Sequence, residues 1–120
     1  MYREVQHIRD NVAGVQREVN AGILAESTRD ITAHTSQAMA LIDGLIQSLN
    51  NLNRSGNNEG VEPQLVDATG RALNRAWVQA ERVAIGSSVA EMRQALVDCK
   101  TFVDYAEAFV SASLGVELEQ

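Results

Sequence analysis

The 120-residue chain is rich in helix formers, with 4 % aromatic residues and a single proline, a composition that favours an all-α fold over a sheet. Its formal net charge is −6, and after Lys100 every charged residue is acidic (Asp104, Glu107, Glu117, Glu119), which disfavours nonspecific binding to nucleic acid or anionic lipid. One cysteine, Cys99, excludes an intramolecular disulfide framework.

The N-terminus, MYREVQHIRD, carries no apolar segment of the signal-peptide kind, and no run approaches the roughly eighteen apolar residues of a membrane span. The expectation is a protein of the cytoplasm, or of a particle assembled from it, with no membrane or nucleic-acid partner.

In chain order, Val5, Ile8, Val12, Val15 and Val19 alternate spacings of three and four, a heptad seam. The β-branched residues, with Gly14 and Gly22, weaken intrinsic helicity, so packing must hold this segment. The seam then changes phase, and Leu24, Ile31, Ala38, Leu45 and Leu52 continue at sevens, as a stutter would produce. Between Ala25 and Gln37 the face is polar. Ser27, Thr28, His34 and Thr35 form a candidate polar layer, and Ser27 with Asp30 matches a helix start. Without a proline to force a break, the preferred reading is one kinked or curved helix from about Tyr2 to Asn50, roughly 73 Å long at 1.5 Å per residue.

The stretch Ala38–Leu52 is the most apolar part of this arm. Leu41 beside Ile42 and Leu45 beside Ile46 make its apolar arc too wide for a single coiled-coil seam. Residues 51–62 are Asn- and Gly-rich and read as a loop. Pro63 suits the first turn of a second arm, 63–114, with a face of Leu65, Thr69, Ala72, Leu73, Ala76, Trp77, Ala80 and Val83. Gly86-Ser87-Ser88 interrupts it. Gly86 suits a helix C-terminus, and Ser88 with Glu91 suits the next helix start. Val89, Met92, Leu96, Cys99, Val103, Ala106 and Val110 then form a regular seam, which Phe102, Tyr105 and Phe109 widen. The tail, 115–120, has weak strand alternation, as an extended arm would.

The two arms match in length, so the chain reads as one helical domain, 1–120, folded as a long antiparallel hairpin. That pairing sets Val5 and Ile8 near Phe109 and Tyr105, Gly14 near Cys99, and the polar Ser27–Gln37 stretch opposite Ala76–Ala84. A lone hairpin would leave Leu41, Leu45, Ile46, Leu49, Phe102, Tyr105 and Phe109 poorly covered. Side chains of this kind gain about 1.5–3 kcal/mol each on full burial, so the expectation is a homo-oligomeric bundle of hairpins. The alternative breaks both arms, at Gly22–Ser27 and Gly86–Ser88, to give a compact four-helix bundle.

The chemistry-bearing residues point to no reaction. Glu4-Val-Gln-His7 is a Glu-x-x-His, but His34 has Ile31 where a second motif requires Glu, so no metal or other cofactor is expected. Cys99 lies on an apolar seam, apart from either histidine. Arg71, Arg75 and Arg82 share a stripe that reads as a solvated face, with Asp67 placed to pair with Arg71. The function expected is that of a non-enzymatic, self-associating structural or interaction protein. It would be a subunit of a larger assembly such as a phage or virus-like particle, a secretion device or a filament, with the loop 51–62 or the C-terminal tail free to meet other proteins. The alternatives are a monomeric bundle holding a small ligand or metal, and a helical adaptor or chaperone that binds a partner helix.

Overall fold

Two corners decide the architecture. At the first, the Ser27 hydroxyl accepts a hydrogen bond from the Asp30 backbone N–H at 3.1 Å, while the Ala25 N–H closes back on the Gly22 carbonyl at 3.2 Å. One helix ends and the next is capped within four residues. At the second, the Ser88 hydroxyl accepts from the Glu91 N–H at 3.2 Å, and the Glu91 carboxylate accepts from both the backbone N–H and the hydroxyl of Ser87. Those contacts hold the Glu91 carboxyl below the usual carboxylate range.

The structure, a computed structural model, describes the backbone of residues 2–55 and 63–119 and the side chains of residues 6–52 and 64–112. The helices are α1 (Tyr2–Leu24), α2 (Thr28–Ser55), α3 (Pro63–Glu81), which tightens into a 3-10 turn over Arg82–Ile85, and α4 (Val89–Glu119). No strand occurs among the described residues.

The single long helix expected between Tyr2 and Asn50 is therefore two. The phase change in the heptads marks a chain reversal, which lets Val12, Val15 and Val19 face the same core as Ile31, Ala38, Ile42 and Leu45. The molecule measures 48 × 23 × 17 Å, far shorter than the rod an unbroken arm would make. Two smaller corrections follow. α2 runs on to Ser55, into the expected loop, and residues 115–119 continue α4 in place of an extended arm. Gly86 is extended, with φ −68° and ψ 135°, and not left-handed. Glycine is needed there for room, since a Cβ would lie 2.8 Å from the Met92 Cγ.

Successive helices alternate in direction. Glu18 of α1 meets His34 of α2, Leu49 of α2 lies by Gly70 of α3, Arg82 at the end of α3 meets Asp98 of α4, and Gln16 of α1 meets Asp104 of α4. α1 packs on α2 and α4, and α3 packs on α4 and less closely on α2. Among the described residues α1 and α3 make no close backbone approach while α2 and α4 do, so the four helices form a lozenge with α1 and α3 across its long diagonal.

The core is aliphatic. Ile31, Ile42, Leu45, Leu73, Leu96, Val103 and their neighbours are fully buried, and no aromatic ring is buried among the described residues. Its two polar members satisfy themselves along their own helices. The Thr35 hydroxyl donates to the Ile31 carbonyl and the Thr69 hydroxyl to the Leu65 carbonyl, each at 2.7 Å.

Candidate functional site

The core is aliphatic, and three of the four described aromatic side chains, Phe102, Tyr105 and Phe109, collect on one face. On α4 the buried seam is Met92, Leu96, Cys99, Val103, Ala106 and Val110. The residues opposite, at spacings of four, four, three and four, are Val97, Thr101, Tyr105, Ala108 and Ala112. These five are the only exposed residues of α4 between Val97 and Ala112, and none is charged. The charges in that stretch (Asp98, Lys100, Asp104, Glu107) are all half-buried at the flanks. A helix nearly as apolar outside as inside is one that expects a further neighbour.

Beside this stripe, toward α3, runs a groove of about 700 Å³ between Phe102, Tyr105 and Phe109 of α4 and Arg71 and Arg75 of α3. A shallower extension of about 360 Å³ continues it past Arg75 and Phe102 to Val78. The Phe102 and Tyr105 rings lie 6.3 Å apart and tilted by 51°. Tyr105 is 54 % exposed and Val78 56 %. Arg71 pairs with Asp67 at 2.7 Å, whereas Arg75 makes no hydrogen bond or ion pair among the described residues. Farther along, Arg82 bonds both Gln79 and Asp98, and its guanidinium is the main cause of an Asp98 carboxyl lowered from its ordinary value. Tyrosine and arginine bordering an uncharged surface are the residue types that dominate binding interfaces.

The other residues singled out in the sequence are dispersed. Leu45 and Leu49 are 1 % and 5 % exposed, members of the chain's own core, so in this fold neither is open to a second molecule. Leu41 and Ile46 are half-buried on α2, and Ile46 borders a small crevice of about 130 Å³ against α3. The short helices supply the cover that a long hairpin would lack.

The polar layer separates too. Ser27 and Thr28 lie exposed at the first corner, Thr35 is in the core, and His34 is at the edge, its Nδ1 2.9 Å from the Glu18 Oε2. His34 thus pairs α2 with α1. His7 is exposed, and the Glu4 side chain, the loop tip and the last side chains of the tail lie outside the described residues. Among the described residues no three His, Cys, Asp or Glu side chains gather closely enough to hold a metal. Burial pushes the Cys99 thiol up to about 12, so it stays protonated and inert. No helix among the described residues is long and apolar enough to cross a membrane.

Phe102, Tyr105 and Phe109 are marked in the sequence as a widened apolar face and Arg75 only as part of a solvated stripe, whereas Val78 and the uncharged stripe are not singled out there. The signal was present: a second set of five positions, half a turn away from the seam, none of them charged. Fold and groove together define an all-α bundle with one aromatic-lined outer face. No protein-family model, curated protein or solved structure matches the chain.

Proposed function

We propose that this protein is a non-enzymatic structural or interaction component that self-associates through the outer face of α4 and serves as a subunit of a larger assembly. The observation that carries this reading is the charge-free run of exposed residues from Val97 to Ala112 beside the Phe102–Tyr105–Phe109 groove. On a chain of net charge −6, this is a long helical surface on which two copies can pack with the flanking charges, Asp98, Lys100 and Asp104, left at its margins. A second reading, an adaptor that lays an acidic amphipathic helix of another protein in the groove, is favoured by Arg75 at its rim, which has no ion-pair partner among the described residues.

Sedimentation equilibrium over about a hundredfold range of concentration tests the first reading. The wild-type protein should gain mass with concentration, and Tyr105→Asp should hold it at the monomer mass with its helical circular dichroism intact. A wild-type protein that sediments as a monomer throughout overturns self-association and leaves the adaptor.

A further inference from the structure

We propose, building on self-association through α4, that the two copies pair about a two-fold axis running parallel to α4, so that Arg71 and Arg75 of each copy meet Asp104 and Glu107 of the partner subunit. α4 has α3 on one flank and α1 on the other. Its α3 flank carries Phe102 and Phe109 and faces Arg71 and Arg75 across the groove. Its α1 flank carries Asp104, which accepts hydrogen bonds from the Gln16 side chain of α1 at 3.1 Å and from the Lys100 ammonium at 2.8 Å. Glu107, three residues on, shares that flank by helical spacing.

A two-fold axis along the helix exchanges the flanks, so α3 of one copy lies over the flank of the other that carries Lys100, Asp104 and Glu107 and is net negative. An axis across the helix keeps like over like and brings Arg75 against its own counterpart. Charge therefore selects the parallel arrangement.

The levels agree as well. α3 and α4 are antiparallel and Arg82 meets Asp98 at 2.8 Å, so moving seven residues along each helix sets Arg75 level with Tyr105, and four more set Arg71 level with Phe109. The groove shows the same order, with Arg71 and Arg75 bordering Tyr105 and Phe109. The partner's Asp104 and the partner's Glu107 occupy that same height once the copies are in register. In the seam each stripe residue meets its own counterpart, Val97 on Val97 at one end and Ala112 on Ala112 at the other. The small side chains of Ala108 and Ala112 let the helices come close where the arginines must reach across.

Single-cysteine variants read the geometry directly. The native Cys99 is buried with its thiol pushed up to about 12, so it does not compete for a thiol reagent. With a short bis-maleimide, Val97→Cys alone and Ala112→Cys alone should each give a covalent dimer, and a mixture of the two should give no excess of the mixed product. Charge reversal gives an independent reading: Arg71→Glu and Glu107→Arg should each weaken the dimer about tenfold, and the two combined should recover it. Melting curves confirm that each variant is folded. If the wild type self-associates but crosslinks form only between Val97→Cys and Ala112→Cys, or the combined reversal fails to recover the dimer, the parallel arrangement is wrong and self-association stands. A wild-type protein that stays monomeric and uncrosslinked removes both.

Discussion

Glu91 shows how a single carboxylate reports on a helix start. Its carboxyl is held below the usual range by the backbone N–H and hydroxyl of Ser87, so folding favours the ionised form. The stability this adds is full above the ordinary carboxylate pKa and is lost as pH falls through the lowered one. Glu91→Gln should therefore melt below the wild type at neutral pH, and the two melting midpoints should converge as pH falls below the lowered carboxyl pKa. Thermal unfolding across that range checks it, and a constant gap would show that the carboxylate's charge contributes nothing. This contact was half legible in advance. Ser-x-x-Glu names a helix start from four residues alone, but that the acid would reach back to Ser87 depends on how the chain enters the corner. The His34–Glu18 contact was not legible at all, because it joins two helices whose relative rotation depends on a break the sequence leaves open.

Among the elements, two helical glycines separate propensity from packing. Gly22 lies where α1, α2 and α4 converge: a Cβ there would sit 2.7 Å from the Leu96 Cδ1 and 3.4 Å from the His34 Cβ, and Leu96 has no exposed surface into which to yield. Gly44, on the exposed side of α2, has no such neighbour within 4 Å. Intrinsic preference alone favours alanine at both by up to about 1 kcal/mol. The expected outcome is opposite signs, with Gly44→Ala stabilising by about 0.5–1 kcal/mol and Gly22→Ala destabilising by about 1–3 kcal/mol. Urea midpoints of the two variants decide it. The same contrast explains why the elements were read more surely than their ends. The periods that mark Val12 to Val19 and Ile31 to Leu52 as helical survive whether the chain between them bends or doubles back. A stutter and a reversal leave the same imprint in one dimension. Only the competition between burying those faces within one molecule and burying them between molecules separates the two, and four short helices allow the former.

At the scale of the molecule, residues that looked alike in the sequence occupy different worlds. Leu45 and Tyr105 both belong to wide apolar arcs, yet one is 1 % exposed and the other 54 %. Leu45→Asp should unfold the protein, because an uncompensated carboxylate in this core costs several kcal/mol. Tyr105→Asp should leave unfolding stability within about 0.5 kcal/mol of the wild-type monomer. Circular dichroism melts at low concentration distinguish the two, and a Leu45→Asp protein that melts like the wild type would show that this core is misassigned. Single apolar residues exposed at the corners, Leu24 and Ile85, are the ordinary leftovers of a small bundle.

Because α1 is flanked by α4, α1 leaves the ribosome well before a helix that shelters it. At about 5–20 residues per second of synthesis, Val12, Val15 and Val19 wait on the order of ten seconds for that shelter. Throughout that interval the nascent chain offers an oily strip to chaperones and to other unfinished chains. A ribosome that halts before Val89 thus releases a sticky intermediate in place of a smaller version of the protein.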